Sequence, residues 1–274
     1  MDFDLTEEMK MLKEMAYKFA VAEVKPVSQE CDEHEKYMPE TRIKAAQNGL
    51  VGAWIPEEYG GSGAGILGNT IITEEISKVD MGIGLNIVAA GFGCESILNY
   101  GTEEQKKTYL PPVCEGTQVC AGAYTEPNAG TDVSGYKTRA VKDGKDYVIN
   151  GNKMFITNGT VCDFMVAQCI TNPEEKKHNS FSMIIIPAAA KGVTRNKLHG
   201  KMGIRASDTA EIALEDVRVP KSNLIGKEGH GFRQLMHFFD ITRVMVSGQA
   251  LGLSEACLET SIKYVKERNV KYQR

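Results

Sequence analysis

The strongest constraint on this chain is that its hydrophobic period changes twice. Up to about residue 115 apolar side chains recur every three to four positions. Between 116 and 226 they gather into short runs of β-formers, and from Gly231 the helical spacing returns. From Leu5 to about Ala22, Met9, Leu12, Ala16 and Phe19 share one helical face, with Thr6 as N-cap and Glu7 and Glu8 at the positive end of the dipole. A second helix is predicted from Glu40 to Gly49, where glycine accepts the left-handed backbone that ends a helix. Segments 66–78 and 82–99 also carry helical spacing. Thr102 and Gln105 spell a capping box for a further helix, which Pro111 and Pro112 should interrupt.

In the middle, YVIN at 147–150, FMVAQCI at 164–170, FSMIII at 181–186 and AEIALEDVRVP ending at Pro220 read as strands. Asp143-Gly144, between YKTRAVK and KDYVIN, predicts a two-residue type I′ hairpin, whose two central residues both need positive φ. Beyond Gly231, Phe232, Leu235, Met236 and Phe239 begin a helix that continues through LGLSEACLETSIKYVKERN. The expected architecture is α+β and multidomain: a helical domain over 1–115, an antiparallel β domain over 116–226 and the beginning of a C-terminal helical domain over 227–274. That order is not the strand-helix alternation of a doubly wound parallel sheet. The string Gly63, Gly65, Gly68 matches GxGxxG, yet it follows the loop PEEYGGSG and has no acid at the expected distance, so it reads as a glycine loop between helices.

Composition narrows the function classes. Against 32 basic residues stand 36 acidic ones, a formal charge of -4 that offers no broad positive field to nucleic acid. Seven cysteines (Cys31, Cys94, Cys114, Cys120, Cys162, Cys169, Cys257) are scattered without a CxxC pair, which favours neither a disulfide framework nor a zinc site. The opening MDFDLTEEMK places acids where a targeting peptide carries bases, and no apolar run approaches the roughly 20 residues of a membrane span. A cytoplasmic protein is expected.

Two stretches carry chemistry. AYTEPNAGTDVSG at 123–135 packs hydroxyls, turn formers and free backbone amides into a segment able to wrap a polar ligand. NGNKMFITNG at 150–159 brings an aromatic, Phe155, close to a hydroxyl, Thr157. Both resemble signatures of the acyl-CoA dehydrogenase family, and the resemblance continues through KMGIRASDTAEIALEDVRVPKSNLIG at 201–226 and the following helix to Arg268.

The resemblance implies an FAD enzyme that removes the α-proton of an acyl-CoA with a carboxylate and passes the β-hydrogen to the flavin as hydride, leaving a 2-enoyl-CoA. Electrons would go on to an electron-transfer flavoprotein, and the assembly would be a homotetramer, a dimer of dimers. By the same resemblance Thr125 and the backbone at Tyr124 donate to the flavin ring, where donors stabilise the charge that arrives. Gly130 and Thr131 would sit between the flavin pyrophosphate and the CoA chain. Phe155, standing where many relatives have tryptophan, would wall the ring with Ile156, and Thr157 would reach it by its hydroxyl. On the last helix Phe239, Asp240 and Arg243 form the F-D-x-x-R pattern of CoA contacts; read without the family, Asp240 and Arg243 are an i, i+3 ion pair. Arg268 would contact the flavin of a neighbouring subunit, although Asn269-Val270-Lys271 replaces the usual surroundings.

No catalytic base is expected among these residues. Where some relatives place a glutamate just before the matching arginine stands Thr242; in the others the base comes from a later helix, so the base is expected in a missing C-terminal region. Glu95, expected near the acyl end of the pocket, is a third option. An acyl-CoA oxidase and a non-catalytic flavin or acyl-CoA binding fragment are the alternatives. No arginine lies near Ile83, which disfavours dicarboxylic acyl groups; medium, branched or alicyclic chains stay open.

Overall fold

The computed structural model describes residues 3–269. Helix α1 (Glu7–Phe19) is capped by Thr6, whose hydroxyl oxygen accepts from the Met9 N–H. It does not end near Ala22. The chain passes through a π-helical turn, Ala20–Val24, directly into α2 (Lys25–Glu33). Pro26 is tolerated there because it lies in the first turn, where a missing N–H costs no internal bond. Next come α3 (Pro39–Gln47), α4 (Gly65–Ser77), α5 (Met81–Val88), α6 (Cys94–Tyr100) and α7 (Glu103–Cys114).

Two sequence expectations change here. The helix over 82–99 is two helices, parted at 89–93, where Gly93 takes φ +113° and Gly91 bridges to Cys120. Helix α7 starts with the expected capping box but runs through Pro111 and Pro112. The carbonyls that the prolines orphan belong to Lys107 and Thr108, both exposed, so water can replace the lost donors.

Strands β1 (Cys120–Ala123), β2 (Arg139–Asp143), β3 (Asp146–Thr157), β4 (Phe164–Ile170), β5 (Phe181–Pro187), β6 (Val193–Lys197), β7 (Thr209–Pro220) and β8 (Leu224–Ile225) form one sheet, ordered β6-β7-β3-β2-β4-β5-β8, with β1 also on β4. Pairing is antiparallel except at β4, which runs parallel to β1 from Cys120↔Phe164 to Ala123↔Ala167 and meets β2 in parallel at Arg139↔Ile170. Because β5 occupies the other edge of β4, β1 and β2 share one edge, and the chain between them, 124–138, leaves the sheet and returns. The β2–β3 turn falls one residue later than expected. Asp143 pairs with Asp146, and Gly144, the first central residue, has φ +60° while Lys145 does not have positive φ, the pattern of a type II′ turn.

Apolar packing surrounds β4 on both faces, which is why FMVAQCI reads as a continuous run and not an alternation. One face joins Met165, Ile149, Ile184 and Leu214 inside the sheet. The other joins Phe164, Val166 and Met183 to Ile97, Leu110 and Phe238 from the helices. Helix α8 (Gly231–Glu267) then ties the sheet to the helical layer. It begins with Gly231 against the Ser182 backbone and continues onto α4, where Gly248 and Gly252 press on Thr70 and Glu74. A Cβ on Gly252 would lie 2.1 Å from the Glu74 carbonyl oxygen, so only glycine permits this approach.

Candidate active site

The excursion 124–138 and helix α8 enclose a cleft of about 590 Å³. Gly130, Thr131 and Val133 line one wall, and Phe232, Phe239 and Arg243 the other. His178 stacks on Phe232 with ring centroids 4.2 Å apart. Nothing lies within 4 Å of where a Gly130 side chain would start, so the loop presents bare backbone to open space. Four residues singled out in the sequence thus meet: Gly130 and Thr131 from the loop, Phe239 and Arg243 from α8. Asp240 does not line the cleft. Its carboxylate accepts from Arg243 at 2.8 Å, with both side chains 69% exposed, an arrangement that leaves the arginine near the opening.

The two motifs are joined directly, since the Met154 N–H donates to the Thr125 carbonyl at 2.8 Å. Thr125 and Thr157 are both half-buried, while Ile156 is buried against the sheet interior. Tyr124 turns its ring inward onto Phe238, centroids 5.0 Å apart, so only its backbone can face a ligand. Phe155 is unusual twice over. It is 67% exposed and has φ +59°, at the bulge where the β3–β7 register slips between Lys153 and Ile156. A bulky residue held in the left-handed region costs on the order of 1–3 kcal/mol, and such residues cluster at functional sites. A flat aromatic displayed at such cost beside a threonine hydroxyl fits a planar ring system.

Arg268 lies elsewhere. It caps α8, where its guanidinium donates to the Tyr264 hydroxyl, and it stands about 40 Å along the helix axis from Phe239. The expectation concerning Val270 and Lys271 lies outside the described residues. Gly63 precedes α4 while Gly65 and Gly68 lie in its first turn, and no strand comes before them among the described residues, so the dinucleotide fingerprint lacks its context. Burial pushes the thiols of Cys114, Cys162 and Cys169 up to about 12, 11 and 12, which suits packing and not nucleophilic work.

Glu95, at the start of α6, is buried, and burial pushes its carboxyl up to about 7 although the Gly93 N–H donates to it at 2.8 Å. It does not line the cleft. Thr242 is buried, its hydroxyl donating to the Phe238 carbonyl at 3.0 Å. A larger hollow of about 680 Å³, between α1 and α3, contains none of the motif residues. Sequence reading passed over two residues inside its own motifs, Glu126 and Lys153, which are buried and ion-paired at 2.9 Å. The one available signal was an acid in the first motif and a lysine at an inward strand position in the second.

Family models match nearly the whole chain: acyl-CoA dehydrogenase N-terminal domain over 6–117, middle domain over 121–217 and C-terminal domain over 229–274. A short-chain specific acyl-CoA dehydrogenase of Clostridium acetobutylicum is 43% identical over 98% of this chain and 71% of its own length. The chain belongs to the acyl-CoA dehydrogenase family. Members of this family are oxidoreductases that use FAD. The butyryl-CoA dehydrogenase of Megasphaera elsdenii superposes with a TM-score of 0.93 at 37% identity, over 100% of this chain and 72% of that one. A structure described as the electron transferring flavoprotein of Acidaminococcus fermentans, from work on flavin-based electron bifurcation, superposes with a TM-score of 0.94 at 42% identity, over 98% of this chain and 71% of that one. Helices, mixed sheet and final helix follow the order of this acyl-CoA dehydrogenase fold, and no described helix is long and apolar enough to cross a membrane.

Proposed function

We propose that the protein takes part in the α,β-dehydrogenation of an acyl-CoA thioester, with FAD as the immediate acceptor and an electron-transfer flavoprotein as the next carrier. The observation that supports this best is the cleft, where a glycine-bared loop and an arginine-bearing helix face each other, the same loop being tied through the Thr125 carbonyl to the strand that carries Thr157 and the exposed, strained Phe155. FAD, when bound, accepts the hydrogen that leaves the acyl chain as hydride.

The chain's own residues divide the remaining work. Thr125, Thr157 and the backbone at Tyr124 would donate hydrogen bonds to the ring system and Phe155 would form its wall, while Ile156, its side chain buried in the sheet interior, would offer backbone alone. Gly130 and Thr131, which line the cleft, would sit between the flavin pyrophosphate and the CoA chain. Phe239 and Arg243 bind the CoA arm, the arginine supplying a bidentate cation for phosphate or carbonyl oxygens, while Asp240 outside the cleft only pairs with that arginine. Arg268, too distant from the cleft of its own chain, reaches the flavin of a neighbouring copy in a homotetramer. Neither Thr242, engaged with Phe238, nor Glu95, buried and outside the cleft lining, is assigned the base. The setting is cytoplasmic. No arginine flanks Ile83 in sequence to pair a terminal carboxylate, so short, medium, branched or alicyclic acyl groups fit better than dicarboxylic ones; the short-chain and butyryl specificities of the relatives agree.

The test is an FAD titration of the purified chain followed by a panel of acyl-CoAs read by flavin absorbance. A yellow protein whose flavin spectrum shifts with acyl-CoA is expected. A colourless protein that takes up no FAD overturns the reading. Rapid reoxidation of reduced flavin in air marks an oxidase, and binding of both ligands without bleaching marks a binding fragment.

A further inference from the structure

The excursion 124–138 leaves an unpaired stretch on the edge of β4. Ala123↔Ala167 is the last β1–β4 pair and Arg139↔Ile170 is the β2–β4 pair, so the carbonyls of Tyr124 and Gln168 stand between them without ladder partners from the neighbouring strand. A single side chain fills the gap. Lys153, 1% exposed and projecting inward from β3, donates to the Tyr124 carbonyl at 3.1 Å, the Gln168 carbonyl at 2.9 Å and Glu126 Oε1 at 2.9 Å. All three ammonium protons are thereby used. The Tyr136 ring closes the remaining side, its centroid 4.9 Å from the ammonium.

Glu126 acts at the other end of the excursion. Its Oε2 accepts from the Lys137 N–H at 2.6 Å and its Oε1 from the Thr138 N–H at 3.0 Å, so one carboxylate next to the departing strand holds the two amides of the returning one. Burial alone would raise this carboxyl, but the Lys153 charge and the hydrogen bonds from Thr138 and Lys137 outweigh it and leave the group below the usual carboxylate range.

We propose that Lys153 and Glu126 are positioning residues that pinch the neck of the 124–138 excursion and thereby set Thr125, Gly130 and Thr131 against Thr157 and Phe155. The pair touches the cleft nowhere. Lys153 holds the carbonyl of the Tyr124–Thr125 peptide, and in a trans peptide the N–H of Thr125 then points the opposite way, toward the ligand side of the loop. Lys153 is in strand β3 itself, two residues from Phe155, so the same side chain fixes the separation of the two motifs. This assignment rests on the FAD reading above for its ligand but not for its geometry.

Three variants of the full chain test it: Glu126→Gln, Lys153→Met, and the double substitution, which leaves no uncompensated buried charge and keeps the test alive if Lys153→Met does not fold. Amide hydrogen exchange and FAD titration by flavin fluorescence are the readouts. In folded Glu126→Gln and in the double variant, the amides of Lys137 and Thr138 are expected to exchange at least roughly tenfold faster while the β4–β5 ladder keeps its protection, and the FAD Kd to rise by about tenfold. A pair that only stabilised the fold would lower the melting temperature without exposing those two amides selectively or altering the Kd, and that result overturns the proposal. If the unsubstituted chain takes up no FAD, the functional reading fails separately, and exchange at Lys137 and Thr138 alone decides the role of the pair.

Discussion

Met154 donates its backbone N–H to the carbonyl of Thr125 across 2.8 Å, so the two ligand-wrapping motifs are bonded to each other although strand β2 and its turn separate them in sequence. Their hydroxyls, Thr125 and Thr157, are consequently carried on connected backbone, and moving one displaces the other.

Thr157→Val is therefore expected to leave the fold intact and to weaken FAD binding. The residue is half-buried at the end of β3, where valine is a good strand former, so the melting temperature should move little. A hydrogen bond to the neutral oxidised ring is worth roughly 0.5–1.5 kcal/mol, so the Kd should rise by about two- to tenfold. Fluorescence titration of the apoprotein measures it; an unchanged Kd would remove Thr157 from the site.

Arg243 and Asp240 should separate cleanly under substitution. Their ion pair is two-thirds exposed on both sides, and such pairs contribute only about 0–1 kcal/mol, so neither Arg243→Ala nor Asp240→Ala should cost much stability. Only Arg243 lines the cleft. Its loss is expected to weaken binding of a CoA thioester by roughly tenfold or more, in the range of a charge-assisted contact, whereas Asp240→Ala should change it far less. Calorimetric titration with a non-oxidisable acyl-CoA analogue distinguishes the two; equal effects would return the pair to the helix-surface role.

Much of this fold could be read from hydrophobic period, because long helices and runs such as FMVAQCI bury faces whose spacing is written locally. Breaks and pairings were less legible. The split at 89–93 depends on a bridge from Gly91 to Cys120, and the parallel placement of β1 depends on where β4 lies, neither of which is local. Pro111 and Pro112 misled because their cost depends on whether the orphaned carbonyls meet water. In the site, threonines and glycines stood out by type. Lys153 did not, since a lysine in a strand is ordinarily exposed, and only the assembled gap beside Tyr124 and Gln168 makes it a buried donor.

Gly252 offers a packing test of how α8 is seated. A methyl group there would lie 2.1 Å from the Glu74 carbonyl oxygen and 2.9 Å from its carbon, both backbone atoms that cannot swing aside. Gly252→Ala gains helix propensity of about 0.5–1 kcal/mol, yet overpacking at a rigid contact costs about 1–3 kcal/mol or more, so the clash wins. A net loss of stability is expected in thermal unfolding, while Ser254→Ala, at an exposed position on the same helix, should stay within about 0.5 kcal/mol. A neutral Gly252→Ala would mean that α8 is not seated on α4 as described.

Glu95 gives the chain a stability that falls with rising pH. Its carboxyl is pushed from 4.5 to about 7 because burial in the α6 layer penalises the charged form, so the folded state holds this proton more tightly than the unfolded one. The stabilisation is fully present below about pH 4.5, declines through the interval up to about 7 and is absent above it, where the folded protein must carry a buried carboxylate. A displacement of that size corresponds to at most roughly 3 kcal/mol. Glu95→Gln removes the ionisation but keeps an oxygen that can accept from the Gly93 N–H. Urea unfolding of both proteins at pH 5 and pH 8 should therefore show the variant gaining on the unsubstituted protein as pH rises, by one to a few kcal/mol. Parallel stabilities at the two pH values would mean that Glu95 titrates as an ordinary carboxyl, and its exclusion from solvent would have to be given up.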